Sequence, residues 1–319
     1  MQAIAKAKDK RKALAEGFIY EKTLVMLAAD PGTGKSTITT QIAVELAAGL
    51  PIFGVFECPR PCKVLYIQTE RSIIELLERL EIIGKVLPIA KDNLFVTDAY
   101  QSFNLLYPDH VEPFVNCVLR DCPNADIIFI DPIYCMVGGG LKEDVPASMF
   151  TKVMSILQEK TGAVLWYNHH TVKPSYTNKG DMIEKADPFY GSQWLKAHVT
   201  GSFYLKECKG GVQLDRKKDN YNILPKEIIL EYDAETELCS IPMSELPAIE
   251  KVKAFLKMRK VDKKEFSFND IKAYTKLCNR SIRSNLLHSS ISDQIIVVST
   301  KKNKMLYKIK DENLSCAMP

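Results

Sequence analysis

The sequence predicts an α/β fold: a mostly parallel sheet with an antiparallel β edge, followed by a small C-terminal winged helix. Three observations predict it. Residues 23–37 pass from an apolar run through a Gly- and Pro-containing turn into a helix-forming stretch. Apolar runs at 64–67, 126–130 and 163–167 then alternate with helical periodicity, as strands covered on both faces do. After residue 199 the pattern changes to short β-like runs, a Pro-containing linker and a basic tail.

Taken in order, residues 1–16 read as a basic helix or arm rich in Ala and Lys, with little apolar surface. Gly17 and a turn at 20–22 lead into the first strand, 23–29. The helix 35–48 repeats apolar Ile38, Ile42, Val44, Leu46 and Ala47, and Gly49 closes it. A loop at 50–62 precedes the strand 64–67, which ends in Gln68-Thr69-Glu70, and a helix from about 72 to 85 follows. A third strand is expected at 93–96, then a helix N-capped by Asp109. The strand 126–130 stops at Asp131-Pro132, a helix covers roughly 147–160, and the strand 163–167 ends at Asn168-His169-His170. A polar loop at 171–190 carries Lys173, Lys179 and Lys185.

Three short strands at 199–206, 211–217 and 225–232 form the β edge, with Arg216-Lys217-Lys218 placed in a turn. Pro242 and Pro247 mark a linker. Helices at 249–259, 268–276 (introduced by Ser267 or Asn269) and 279–287, then a basic hairpin at 294–309, outline the winged helix. The expected organisation is an arm at 1–16, an α/β domain at 17–240, a linker at 241–248 and a winged-helix-like domain at 249–319.

A chain of 319 residues, 46% hydrophobic and 26% charged, is long and apolar enough to bury a full core, which excludes a disordered chain. No apolar run approaches the roughly 20 residues that cross a bilayer, and the N-terminus has charge without an apolar core segment, which argues against secretion. Nine cysteines are too dilute for a disulfide scaffold, so a reducing, cytoplasmic setting is expected. The net charge of +4 excludes a polycation and leaves room for local basic patches.

The stretch Asp30, Pro31, Gly32, Thr33, Gly34, Lys35, Ser36 and Thr37 is a phosphate cradle: backbone N–H groups of the loop and first helical turn converge on an anion, and Lys35 adds a positive charge. The Ser36 hydroxyl suits Mg²⁺. Ala29 stands where this signature usually has its first glycine. Asp131, an acid at the end of a buried strand, suits the same Mg²⁺ beside the phosphate loop, and the pair defines a nucleoside triphosphate site. Glu70 ends the strand expected to lie beside the phosphate-loop strand and is read as the base for an attacking water, with helix capping as the competing role. His170 is read as a γ-phosphate sensor, since adjacent strand residues face opposite ways and only one of the two histidines can serve. Arg216 and Lys218 are either a solvated basic turn or cations reaching a neighbouring subunit's γ-phosphate. Cys58, Cys62, Cys117 and Cys122 are compatible with zinc, although free cysteines are favoured. Lys272, Lys276, Arg280, Arg283, Lys301, Lys302 and Lys304 give the tail a basic character suited to DNA backbone contacts.

These pieces together resemble the RecA-like ATPase core of hexameric plasmid and phage replicative helicases, over about residues 15–235. The segments that carry the resemblance are 29–37, Leu-Tyr-Ile-Gln-Thr-Glu at 65–70, Ile-Ile-Phe-Ile-Asp-Pro at 127–132, Asn-His-His-Thr-Val-Lys at 168–173, Tyr-Gly-Ser-Gln at 190–193 and Arg-Lys-Lys-Asp-Asn-Tyr at 216–221. The resemblance implies ATP and Mg²⁺ on Lys35, Ser36 and Asp131, the base on Glu70, the sensor on His170 and a trans-acting cation on Arg216 or Lys218. It implies a homo-oligomer, the hexamer of that family, with single-stranded DNA passing the loops that carry Lys173 and Lys179. The expected activity is Mg²⁺-dependent ATP hydrolysis coupled to translocation or remodelling on DNA, as in a replicative helicase of a mobile element or virus. The alternatives are a DNA-assembled recombinase or regulatory ATPase, and a DNA-binding transcription or partition factor controlled by nucleotide.

Overall fold

The computed structural model describes residues 12–138, 141, 143–171, 175–176, 182–183, 193–222, 224–262, 265–292, 295–301 and 304–309. The chain divides into two compact units, 1–241 and 242–319.

The first unit opens with a small antiparallel hairpin, β1 (Ala13–Ala15) and β2 (Ile19–Tyr20). The expected helix over 1–16 is therefore corrected where it can be seen: residues 13–15 are extended, and residues 1–11 lie outside the described residues. The reason is tertiary. Phe18, at the turn of this hairpin, is fully buried, stacks on Phe56 with centroids 5.0 Å apart and contacts Trp166 and Phe203. That burial outweighs the helix propensity of an Ala- and Lys-rich stretch.

The core strands are β3 (Leu24–Ala29), β4 (Val64–Gln68), β5 (Leu94–Thr97), β6 (Ile127–Asp131) and β7 (Val164–His170). The short pair β8 (Ser175–Tyr176) and β9 (Met182–Ile183) forms its own ladder. The edge is β10 (Gly201–Cys208), β11 (Gly211–Asp219), β12 (Glu227–Asp233) and β13 (Leu238–Ser240). One nine-stranded sheet has the order β13-β12-β11-β10-β3-β7-β6-β4-β5. Strands β10, β3, β7, β6, β4 and β5 are parallel, and β10 to β13 pair antiparallel.

Alternation along β3 feeds two cores. Val25, Leu27 and Ala29 join the layer under α1 (Lys35–Ala48) and α2 (Ile73–Ile83); Leu24, Met26 and Ala28 join the layer under α3 (Pro108–Asp121) and α4 (Asp144–Thr161). A short α5 (Gln193–His198) precedes β10. Asp109 is not the N-cap of α3; that position is Tyr107, with Pro108 as the first helical residue, whose fixed φ suits it. Gly49 ends α1 at φ 67°, the left-handed closure a glycine provides. No described helix is long and apolar enough to cross a membrane.

α1 is buried on nearly all sides, and it buries an acid. Glu45 is 4% exposed; it accepts hydrogen bonds from Gln41 Nε2 (2.9 Å) and Phe53 N (3.0 Å), and burial pushes its carboxyl from 4.5 up to about 8. The folded chain then holds a proton that the unfolded chain has lost. This contribution to stability is complete below about pH 4.5 and disappears as pH rises through about 8. The loss is on the order of 4 kcal/mol. Denaturant unfolding at pH 5, 7 and 9 should show it as a decline that Glu45→Gln flattens; equal slopes in both proteins would mean Glu45 titrates normally.

The second unit contains α6 (Ala248–Asp262), β14 (Phe266–Ser267), α7 (Phe268–Thr275), α8 (Asn279–Leu286), α9 (Ser289–Ser292), β15 (Ile295–Lys301) and β16 (Lys304–Ile309). Its sheet runs β14-β16-β15, all antiparallel. Ser267, rather than Asn269, caps α7 in a reciprocal box with Asp270. Val252, Phe255, Leu256, Phe266, Ile271, Ile282 and Leu286 form its core.

Candidate nucleotide site

At the carboxyl end of β3 the chain turns through residues 30–34 into α1. Gly32 and Gly34 take φ of 81° and 97°, a region open to glycine, and a Cβ built on either would meet no atom within 4 Å. Ala29 still belongs to β3, paired with His170 and Leu205, so it needs no such freedom. No side chain caps the N-terminus of α1, which keeps its first-turn N–H groups for another acceptor.

Lys35 is 8% exposed, and its ammonium donates to Ala29 O (2.8 Å) and Asp30 O (3.0 Å). Burial lowers its pKa, against the opposing pull of Asp131, Asp30 and Glu70. The loop is braced by Thr33 Oγ1 donating to Asp30 O (2.9 Å) and by Thr171 Oγ1 donating to the Asp30 carboxylate. Pro31, Gly32, Gly34, Lys35, Ser36 and Thr37 line a cleft of about 240 Å³ together with Tyr66, Glu70, Arg79, Asp131 and His170.

Asp131 ends β6 and is 1% exposed. Its Oδ2 accepts from Tyr66 Oη (2.5 Å) and its Oδ1 from Asn168 Nδ2 (2.7 Å). Asn168 Oδ1 in turn accepts from Thr39 Oγ1 (3.0 Å), and Thr40 Oγ1 donates to Tyr66 Oη (3.4 Å). The bonds close a circuit from α1 through β7, β6 and β4 back to α1, which fixes the carboxylate against the phosphate loop. Burial, then the Asp131 charge, holds the Tyr66 phenol protonated, so it stays a donor. Sequence reasoning missed Tyr66, Thr39 and Thr40: a continuous apolar strand and a buried helix give no local sign that a hydroxyl has a partner.

The strand order corrects one expectation. β7 lies directly beside β3, so neither the Asp131 strand nor the Glu70 strand is its neighbour; β4 is separated from β3 by β7 and β6. Glu70 still lines the cleft, because Thr69 N donates to Asp131 O (2.9 Å) and Thr69 Oγ1 to Pro132 O, tying the chain after β4 to β6. His170 closes β7 beside Ala29 and lines the cleft, whereas His169 is fully buried. The His170 ring stands edge-on to Tyr134 (5.6 Å), and its Nδ1 has no hydrogen-bond partner among the described residues. Burial, then Lys35, lowers its pKa and favours the neutral ring.

Arg216 and Lys218 do not line this cleft. They lie inside β11, not in a turn, in register with Phe203 and Ser202. Arg216 Nη1 donates to Asp219 Oδ2 (3.0 Å) and Leu224 O (2.7 Å); Lys218 Nζ donates to Lys196 O (2.6 Å) and Ala197 O (2.8 Å) at the end of α5. Lys173, Lys179, Lys185 and Lys302 lie outside the described residues, as do the side chains of Lys301 and Lys304. Cys58, Cys62, Cys117 and Cys122 are free, and no group of three or more His, Cys, Asp or Glu among the described residues is placed to hold a metal. Burial raises the Cys58 and Cys62 thiols to about 12 and 11.

The fit of the cleft to a nucleotide and Mg²⁺ rests on its donor set: an open glycine cradle, uncapped helix amides, a buried ammonium, a hydroxyl and a fixed carboxylate. Among solved structures, a KaiC-like protein from the hyperthermophilic archaeon Pyrococcus horikoshii OT3 is similar with a TM-score of 0.51 and 17% identity, over 73% of this chain and 99% of that chain. This likeness concerns the fold. No curated protein matches the chain. The model of the AAA domain family matches residues 1–175, more than half of the sequence and the part that carries the phosphate loop, Glu70, Asp131 and His170. The chain belongs to the AAA domain family and has a RecA-like, ATP-binding P-loop core.

Proposed function

We propose that the protein is an oligomeric ATPase that couples Mg²⁺-dependent ATP hydrolysis to translocation or remodelling on DNA, in the manner of a replicative helicase of a mobile element or virus. The observation that supports it best is the gathering of Lys35, Ser36, Glu70, Asp131 and His170 around one cleft. The loop amides and Lys35 bind the phosphates of ATP. Ser36 and Asp131 hold Mg²⁺, which when bound offsets charge on the phosphate oxygens. Glu70 takes the proton of the water that attacks the γ-phosphate in line, and His170 contacts that phosphate from the end of β7. Arg216 or Lys218 serves the nucleotide of a neighbouring subunit, exchanging its own-chain acceptors for phosphate oxygens.

The second unit fits a winged helix, with α8 as the helix that meets DNA. Ile282 and Leu286 of α8 are buried while Arg280 and Arg283 are exposed, so the helix offers a cationic face. Lys272 and Lys276 are exposed on the neighbouring α7 and the residue after it.

Phosphate release measured with and without single-stranded DNA tests this reading, and DNA is expected to raise turnover severalfold. Deleting residues 242–319 is expected to weaken DNA binding and flatten its salt dependence, since fewer counterions are released. Basal turnover should stay within a few-fold of the full chain. Turnover indifferent to DNA would instead favour a factor whose nucleotide state only controls DNA binding.

A further inference from the structure

Arg79, on α2, lines the nucleotide cleft, near enough to Tyr66 for their charges to interact. Its Nε donates to Glu237 Oε2 at 2.7 Å, and both side chains are largely buried, at 26% and 24% exposure. The two η nitrogens make no hydrogen bond to any described residue. A guanidinium held through Nε keeps its η fork for a second acceptor, and that fork matches two oxygens of a phosphate.

The carboxylate that holds it sits in an unusual place. Glu237 lies in the turn between β12 and β13 with φ 53°, a conformation suited to glycine or asparagine. The strand that leaves this turn, β13, is anchored to the phosphate-loop helix: Gln41 of α1 donates to Cys239 O (2.8 Å) and accepts from Cys239 N (2.7 Å). The same hairpin therefore grips both helices that border the cleft. A glutamate at a position that favours glycine, ion-paired to a cleft arginine with both side chains only about a quarter exposed, marks a side chain with a use.

We propose that Glu237 is a positioning residue of the nucleotide site: it fixes Arg79 through Nε so that the η fork binds a terminal phosphate oxygen of the nucleotide in the same chain. The proposal rests on the cleft being an ATP site. Its consequence is discrimination, because a nucleoside triphosphate presents a phosphate that a diphosphate lacks.

The test uses the full chain with Mg²⁺ and titrates fluorescent AMP-PNP and ADP against wild type, Arg79→Ala, Glu237→Gly, Glu237→Gln and the Arg79→Ala/Glu237→Gly double variant. Glu237→Gly relieves the backbone of the turn, so its thermal midpoint should equal or exceed wild type. Its AMP-PNP affinity should nevertheless fall about tenfold with ADP affinity little changed, the scale of one charge-assisted bidentate contact. Arg79→Ala should show the same selective loss, the double variant no greater loss, and Glu237→Gln, which keeps an oxygen acceptor, a smaller one. Wild-type affinity for both nucleotides in Glu237→Gly, or additive losses in the double variant, would overturn the role of Glu237 while leaving the ATP site in place. A wild-type chain that binds neither nucleotide would overturn the proposal and the ATP site together.

Discussion

Lys35→Ala is expected to abolish ATP turnover, by at least about a thousandfold, the scale of losing a buried charge aimed at the developing transition state. Two other cations line the cleft, and neither replaces a buried ammonium held at the phosphate loop: Arg71 is exposed and pairs with Glu75 (2.9 Å), and Arg79 of α2, held through Nε by Glu237 (2.7 Å), has its η fork assigned to a terminal phosphate. Folding should be spared, because removing a buried ammonium whose pKa burial has lowered also removes a desolvation cost. Phosphate release beside a thermal melt checks both halves. Turnover near wild type would remove the phosphate loop from catalysis. The same variant tests the proposed trans-acting role of Arg216 and Lys218. A Lys35→Ala chain still offers Arg216 and Lys218 to a neighbour, and an Arg216→Ala/Lys218→Ala chain still offers an intact phosphate loop. Co-assembled, the two inactive chains should recover part of the activity at mixed interfaces. Background activity in confirmed mixed assemblies would show that these residues only brace β11 and α5.

Much of this site was legible because phosphate binding is a local property. Strand, glycine turn and helix N-terminus are consecutive in sequence, so residues 23–37 carry their own geometry, and α1 begins and ends at Lys35 and Ala48 as read. Strand order is not local. Apolar runs identify buried strands but say nothing of which lie side by side, and β7 between β3 and β6 follows only from how the crossovers pack. Partnerships across the sheet were equally hidden. Tyr66 looks like any strand aromatic until Asp131 is placed 2.5 Å away, and Arg79 looks like a solvated helix residue until the β12–β13 turn delivers Glu237. Arg216-Lys217-Lys218 suggested a turn by charge alone. In the ladder Arg216 opposite Phe203 bonds Asp219 and Leu224, so the cluster is accommodated within a strand.

Glu70→Gln is expected to leave ATP binding intact and to lower turnover by two orders of magnitude or more, roughly the effect of losing a general base. The competing role, capping the following helix, belongs to Ser72, whose side chain accepts from Ile74 N (3.2 Å), so amidation at 70 should not disturb α2. Glu70 itself is exposed at the cleft, with Thr69 bonded to both Asp131 O and Pro132 O and holding the segment in place. Glutamine keeps the shape and loses the ability to accept a proton, which separates base chemistry from positioning. Two other acids line the cleft. Asp131 is committed to Tyr66 and Asn168, and Glu75 is paired with Arg71. Nucleotide titration and phosphate release on the same preparation check the prediction, with Glu75→Gln as the comparison. Near-normal hydrolysis in Glu70→Gln together with a collapse in Glu75→Gln would move the base one helical turn along the cleft wall, and a fall in ATP affinity matching the fall in turnover would make Glu70 a binding residue instead.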